Sequence, residues 1–209
     1  ITVSSLGGYS DMAQPTDEGL QGQVEQFIDY CRIARAMDIP VVRAFAGDVR
    51  EGFTLDKLYP RLVAGFKEVM QCIAGWGLTV GIENHGRLIN DGDYLWSLLQ
   101  DVGSASLGIT LDTGNFCWAG HSIDTAQRYF EKLAPRVVNV HVKDGKFVDG
   151  EFILLPAGRG DLDLGGLLRT LKAAGYDGSV LSEYEGQGDF VSSTQESVAH
   201  LKNLRDQLI

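Results

Sequence analysis

The sequence predicts an α/β fold in which parallel β-strands alternate with crossover helices. Short apolar runs alternate with longer amphipathic segments along the 209 residues, and strict alternation of this kind implies parallel strands joined by helices. Four of the apolar runs also end in an acidic or imidazole side chain. Since barrels carry their functional residues at the carboxyl ends of their strands, these endings favour a (β/α)8 barrel.

Six βα units can be placed along the chain. The predicted strands cover residues 1–6, 40–46, 78–83, 107–112, 137–142 and 179–183, and the predicted helices cover 19–37, 58–76, 91–102, 123–133, 164–175 and 194–208. The first helix would place Val24, Phe27, Ile28, Cys31 and Ala34 on one apolar face. Residues 143–163 interrupt the pattern, and 146–153 are predicted to form a hairpin.

Two architectures fit six strands. An open doubly wound sheet would accommodate them unaided, whereas a barrel needs eight strands and about 250 residues. We favour the barrel because the polar residues lie at successive strand ends. On this interpretation residues 1–209 form a single barrel domain, N-terminally incomplete, whose first two βα units lie outside this sequence.

The composition narrows the class of partner. Hydrophobic residues make up 44% of the chain, and the formal net charge is −10, which disfavours binding to a phosphate backbone. No apolar run approaches the roughly 20 residues needed to cross a bilayer. The three cysteines show neither disulfide nor zinc-ligand spacing, and are therefore expected to be free thiols in a reducing cytoplasm. A homo-oligomer is compatible with the sequence.

Four strand endings carry the candidate chemistry. They are Glu83, Asp112, His141 and Glu183, and the first three are separated by 29 residues each time. That separation is one βα period, so these side chains are expected at the same level of neighbouring strands. The step to Glu183 is 42 residues, which is longer by about the length of the hairpin.

Three carboxylates at one barrel mouth require a cation to offset their repulsion. Together with an imidazole they suit one divalent ion, such as Mn²⁺, Co²⁺, Mg²⁺ or Zn²⁺. Each residue alone also has a structural interpretation, since a strand-terminal acid can cap a helix and a lone histidine can be a core residue. The equal spacing favours a shared metal.

Five segments resemble those of the sugar phosphate isomerase/epimerase family, the xylose isomerase-like barrels. The segments span about half of the chain and are Gly81-Ile-Glu-Asn-His-Gly86, Leu111-Asp-Thr-Gly-Asn115, Val140-His-Val-Lys-Asp144, Gly158-Arg-Gly-Asp-Leu-Asp163 and Ser182-Glu-Tyr-Glu-Gly186. The family includes ketose 3-epimerases, hydroxypyruvate isomerases, inosose dehydratases, dehydroshikimate dehydratases and the zinc nuclease endonuclease IV. The resemblance implies that the four strand endings bind the metal and that Glu83 and Glu183 act as the acid/base pair.

Further residues near these endings are candidates for substrate contact. They are His85, Asn115, Trp118, Lys143 and Arg159. Many relatives carry a histidine where this chain has Asn115, and the nuclease branch uses such histidines for additional zinc ions. With the acidic charge, this departure disfavours a DNA-repair nuclease. Arg159 could instead form a surface ion pair with Asp161 or Asp163.

Three hypotheses follow. The first is isomerisation or epimerisation of a sugar or sugar phosphate through an enediolate. The second is a lyase, in which the enediolate expels a β-hydroxyl group and the substrate is dehydrated. The third is a catalytically silent binding module on the same barrel.

Overall fold

The computed structural model describes residues 2–208, which contain six parallel strands and a separate two-stranded hairpin. The parallel strands are β1 (Ser5–Gly7), β2 (Val41–Ala44), β3 (Thr79–Glu83), β4 (Leu107–Asp112), β5 (Val137–Val142) and β8 (Val180–Ser182). The chain divides into two compact units, Ile1–Thr110 and Leu111–Ile209, with the boundary inside β4. The first unit orders its strands β1-β2-β3-β4, and the second orders them β4-β5-β8. The predicted α/β fold class with six βα units is confirmed.

Seven α-helices are described, and six of them lie close to the predicted positions. They are α1 (Asp17–Ala36), α2 (Leu55–Cys72), α3 (Gly92–Val102), α4 (Asn115–Trp118), α5 (Ile123–Leu133), α6 (Leu164–Ala173) and α7 (Phe190–Leu208). The short helix α4 has too few residues for a periodic pattern, and sequence analysis missed it. The buried face of α1 consists of the five residues predicted for it.

Capping side chains explain where several helices begin. Thr16 accepts a hydrogen bond from the Gly19 amide before α1, and Asp91 accepts from the amides of Asp93 and Tyr94 before α3. Such caps satisfy backbone donors that have no partner within the helix.

The predicted first strand includes Ile1, which lies outside the described residues. The prediction of a single domain is untested.

The hairpin forms where it was predicted and is slightly longer. It pairs β6 (Asp144–Val148) with β7 (Glu151–Leu155) in antiparallel register. Asp149 and Gly150 connect the strands with φ angles of 51° and 87°. Positive φ at both positions is the requirement of a type I′ turn, which Asp-Gly satisfies at low cost.

Glycines on neighbouring strands make room for one large side chain inside the first unit. Arg43 is in register with Gly7 on β1 and with Gly81 on β3. A Cβ atom at Gly7 would lie 2.9 Å from an Arg43 guanidinium nitrogen. A larger residue at that position would therefore displace the guanidinium group.

The cysteines are free thiols in the described structure, as expected. Cys31 and Cys117 are buried, and burial raises the pKa of each thiol to about 12. Cys72 is exposed. Among the described residues, no helix combines the length and hydropathy that a membrane span requires.

Candidate metal centre

The predicted strand endings lie where strands terminate. Glu83 is the last residue of β3, and Asp112 is the last residue of β4. His141 is the penultimate residue of β5. Glu183 directly follows β8, and its backbone amide continues the ladder by donating to the Val142 carbonyl oxygen over 2.9 Å. Parallel pairing therefore brings these endings to the carboxyl edge of their strands.

Three of these side chains converge within the second unit. His141 Nδ1 lies 2.9 Å from Glu183 Oε2. Asp112, His141 and Glu183 each offer one ligand atom, and these atoms lie within 4.8 Å of one another. Asp112 is fully buried, whereas the Glu183 side chain is 37% exposed. We call Asp112, His141 and Glu183 the trio. Its Asp112 side chain is buried at the end of β4, and solvent reaches its Glu183 side chain.

Backbone amides orient the Asp112 carboxylate. Its Oδ1 atom accepts hydrogen bonds from the amides of Gly114 and Asn115, over 2.9 and 3.0 Å. These amides belong to the N-cap residue and the first residue of α4 and have no acceptor within the helix, so the carboxylate satisfies them. The other oxygen, Oδ2, lies beside Lys143 Nζ. The two oxygens of Asp112 therefore have separate surroundings.

Glu183 is held in its ionised form. Burial by itself would raise the pKa of its carboxyl, but the close approach of His141 and the charge of Lys143 outweigh burial and lower the pKa to about 2. Asn139 Nδ2 lies 3.2 Å from His141 Nε2. The Nδ1 atom of His141 therefore faces Glu183, and its Nε2 atom faces Asn139.

Lys143 is a buried cation beside the trio. Its Nζ atom lies 2.9 Å from Glu185 Oε2, 3.2 Å from Asp112 Oδ2 and 3.9 Å from Glu183 Oε2. It also donates to Asn115 Oδ1 over 3.3 Å. Burial would lower the pKa of Lys143, but the surrounding carboxylates raise it. Lys143 is therefore charged although only 4% of its surface is exposed.

Asp144 organises the glycine-rich segment of residues 158–162. This carboxylate is 1% exposed and accepts four backbone N–H groups. The donors are the amides of Gly145, Gly158, Gly160 and Leu162, over 2.8, 2.8, 3.0 and 3.4 Å. One buried side chain thus fixes the loop that follows the hairpin.

Glu83 has its own cationic partner in the first unit. Arg43 Nη1 donates to Glu83 Oε2 over 3.1 Å, with the side chains 12% and 2% exposed. The guanidinium carbon of Arg43 lies 4.0 Å from the Phe45 ring centre and 5.2 Å from that of Tyr9. These rings confine the guanidinium group while its charge is directed to the carboxylate.

The five candidate substrate residues have different surroundings. Asn115 and Lys143 are buried and contact each other beside the trio. His85 is exposed, with its ring centre 4.5 Å from that of Phe45. Trp118 is half exposed on α4. Arg159 forms an ion pair with Glu196 on α7 rather than with Asp161 or Asp163, so the surface pairing considered from the sequence is wrong in its partner.

Sequence reasoning missed two contacts. Arg43 was not singled out, although its position opposite the face of Val42 and Ala44 marks it as directed away from the helices. Glu185 is the nearest acid to the Lys143 ammonium. No local pattern identifies either ion pair.

The donor set fits a divalent cation. Two carboxylates and an imidazole are ligands that Mg²⁺, Mn²⁺, Co²⁺ and Zn²⁺ accept, and the trio contains no thiolate that would indicate a structural zinc site. The low pKa of Glu183 keeps this ligand deprotonated at neutral pH. The trio is therefore a candidate metal centre.

Two curated relatives share part of this sequence. An uncharacterized protein of Methanocaldococcus jannaschii is 24% identical over 191 residues, which cover 88% of this chain and 64% of that protein. The 3-oxo-isoapionate decarboxylase of Pectobacterium atrosepticum is 30% identical over 122 residues, or 58% of this chain and 41% of the enzyme. The chain thus spans less than two thirds of either relative.

Solved structures share the fold at low sequence identity. A D-tagatose 3-epimerase-like protein is 24% identical, with a TM-score of 0.80 over 97% of this chain and 76% of its own. A xylose isomerase-like barrel protein of Mycobacterium smegmatis in complex with magnesium is 16% identical, with a TM-score of 0.82 over 100% and 75%. The IOLI protein, solved with a zinc atom, is 14% identical, with a TM-score of 0.79 over 98% and 77%.

A family model also matches this chain. It covers residues 1–204, which is nearly the whole chain, and its description as a xylose isomerase-like TIM barrel agrees with the parallel strands and crossover helices found here. The chain belongs to the xylose isomerase-like TIM barrel family.

Proposed function

We propose that this chain carries the active site of a divalent-metal-dependent isomerase or epimerase that acts on a sugar or sugar phosphate. The observation that supports the proposal most directly is the convergence of Asp112, His141 and Glu183 at adjoining strand ends. A D-tagatose 3-epimerase-like protein and a 3-keto-D-glucoside 4-epimerase of E. coli are among the structures with the same fold. Their names support a small sugar-like substrate.

Glu83 is the proposed fourth ligand. On the first unit's sheet Glu83 is in register with Thr110, and Asp112 follows two residues later on the same strand. Residues two apart on a strand share a face, so Thr110 and Asp112 project to the same side of β4. The pairing of Glu83 Oε2 with Arg43 holds this carboxylate in a defined orientation.

The proposed reaction moves a proton between the two faces of one substrate carbon. A divalent ion, when bound, acidifies that proton by polarising an adjacent carbonyl group. Glu183 is the proposed base because it is ionised and its side chain is the more exposed end of the trio. In this proposal Glu83, once protonated from solvent, would deliver a proton to the opposite face of that carbon, which gives the epimer, and Glu183 would release the proton that it took to solvent. In this proposal His85, Asn115, Trp118, Lys143 and Arg159 contact the substrate.

The relationship to 3-oxo-isoapionate decarboxylase favours a second candidate of the lyase class. Loss of carbon dioxide from a 3-oxo acid leaves its electron pair as an enolate, which then takes up a proton. Dehydration of a β-hydroxy ketone begins with the same proton abstraction as epimerisation. The residues described here serve either outcome, because each passes through an enolate next to the candidate metal centre.

A deuterium experiment separates these reactions. The protein is loaded with Mn²⁺ and incubated in D₂O with a panel of ketoses, their phosphates and 3-oxo sugar acids, and the products are followed by NMR and mass spectrometry. Solvent deuterium in a recovered epimer supports the leading proposal, whereas an enone or released carbon dioxide supports a lyase. No turnover and no bound ion at any Mn²⁺ concentration favour the silent module.

A matched pair of variants tests the role of Glu183. Glu183→Gln removes the proposed base and a ligand charge, and it is expected to lower turnover by at least about 10²-fold. Glu151→Gln removes an exposed carboxylate from β7 and is expected to leave turnover unchanged. Circular dichroism checks that both variants fold. Equal activity in the two variants would refute the role of Glu183.

A further inference from the structure

The Lys143 ammonium lies next to the carboxylates of the candidate metal centre. It lies within 4 Å of three carboxylates, those of Asp112, Glu183 and Glu185. Asp112 and Glu183 belong to the trio that fits a divalent ion, and Glu185 lies two residues after Glu183 along the chain. Lys143 therefore provides the positive charge that an ion at the trio would also provide.

The net charge around Lys143 would be balanced by one divalent cation. Three carboxylates and one ammonium carry a net charge of −2 if His141 is neutral. The ammonium thus offsets part of the repulsion among the acids, and a divalent ion would offset the rest. Because Lys143 is 4% exposed, water screens its interaction with an incoming ion only weakly.

The ammonium contacts the same oxygen atoms that are suited to ligate an ion. Asp112 directs Oδ1 to two backbone amides, and Oδ2 is the atom 3.2 Å from Lys143 Nζ. In Glu183 the Oε2 atom is the one that faces both His141 and Lys143. An ion at the trio and the lysine therefore compete for Asp112 Oδ2 and Glu183 Oε2.

Two further partners hold the ammonium next to the trio. Glu185 Oε2 is its nearest acid at 2.9 Å, and Asn115 Oδ1 accepts a hydrogen bond from it at 3.3 Å. Neither residue belongs to the trio, so an ion at Asp112 and Glu183 would not compete directly for these two contacts. Lys143 thus has a position in which it remains partnered after the trio oxygens are taken.

We propose that Lys143 is a built-in counter-cation that competes with the divalent ion for the trio and thereby sets the affinity for that ion. It keeps the acids compatible with folding when the ion is absent, and it makes ion binding weaker and more readily reversed. The inference rests on the metal centre of the proposed function, and it adds a residue that tunes the affinity of that centre.

Direct measurement of Mn²⁺ affinity tests the inference. The wild-type protein, Lys143→Met and the control Lys146→Met are stripped with EDTA, dialysed and titrated with Mn²⁺ by calorimetry and by electron paramagnetic resonance of the free ion. Lys146 is an exposed lysine on β6, so its loss changes the net charge equally without changing the trio. Lys143→Met is expected to bind Mn²⁺ about tenfold more tightly than the wild-type protein, and Lys146→Met is expected to match the wild type.

Thermal unfolding provides a second measurement that does not depend on activity. Without an ion, Lys143→Met leaves three neighbouring carboxylates without their lysine, so its Tm in EDTA is expected to be lower than that of the wild type. Saturating Mn²⁺ is expected to raise the Tm of Lys143→Met more than it raises the wild-type Tm. If Lys143→Met folds only when Mn²⁺ is present, the ion replaces the ammonium as proposed.

The outcomes distinguish this inference from the proposed function. If the wild-type protein binds no Mn²⁺, the metal centre itself is wrong. If the wild type binds Mn²⁺ but Lys143→Met binds it equally or more weakly, the metal centre stands and competition by Lys143 is refuted. A Lys143→Met variant that stays unfolded in saturating Mn²⁺ also refutes it, because the ion then fails to replace the lysine.

Discussion

Replacing Asp144 by asparagine should destabilise the protein through its backbone hydrogen bonds. Each carboxylate oxygen of Asp144 accepts two amides: Oδ1 those of Gly145 and Leu162, and Oδ2 those of Gly158 and Gly160. A carboxamide keeps only one acceptor oxygen and turns an NH₂ group toward the remaining amides. Either orientation of the asparagine therefore leaves two N–H groups without an acceptor.

The magnitude follows from these two lost acceptors. A buried donor left without a partner costs about 1–3 kcal/mol, and removal of the desolvated charge returns part of that sum. We expect Asp144→Asn to lower the free energy of unfolding by about 3 kcal/mol. That is a large part of the 5–15 kcal/mol by which native proteins are typically stable.

Equilibrium urea unfolding, followed by circular dichroism in EDTA, measures this loss. Asp161→Asn is the matched control, because Asp161 is exposed in the same loop and contributes only its backbone amide to the Gly145 carbonyl. Faster proteolytic cleavage within residues 157–162 should accompany the loss in Asp144→Asn. If the two variants differ by less than about 0.5 kcal/mol, the typical scatter of surface substitutions, the argument is refuted.

Three further predictions concern charge and exposure. Arg43→Met leaves the buried Glu83 carboxylate without its guanidinium and should cost about 3 kcal/mol in urea unfolding, whereas Arg43→Lys, which keeps the charge, should cost less. Folding lowers the pKa of Glu183, so its stabilising contribution is present above the unfolded pKa of about 4.3 and is lost as the pH falls toward 2. In EDTA, the stability of Glu183→Gln should therefore fall less than that of the wild type between pH 5 and pH 3. An equal fall in the two proteins would contradict the ionised state of Glu183. A thiol reagent should modify Cys72 alone in the native protein and all three cysteines in denaturant, and rapid native modification of more than one thiol would show that the buried thiols are accessible.

Local patterns in the sequence determined the elements and the strand-end residues. The 3.6-residue period identified the buried face of α1, and Asp149-Gly150 identified the hairpin turn, since both depend on the backbone preferences of residues close in sequence. Strand endings and their spacing predicted one metal site from Glu83, Asp112, His141 and Glu183, and the last three converge within the second unit. These signals are local because a strand presents alternate residues to one face regardless of the rest of the chain.

Only the tertiary structure decided which charges pair. Arg43 reaches Glu83 across 40 residues, and Arg159 turns to Glu196 on α7 rather than to the nearer aspartates. Lys143 is placed among the acids by the packing of β4, β5 and the segment after β8. The strength of an ion pair depends on the distance between the two charges and on the exclusion of water. The spacing of residues along the chain determines neither quantity.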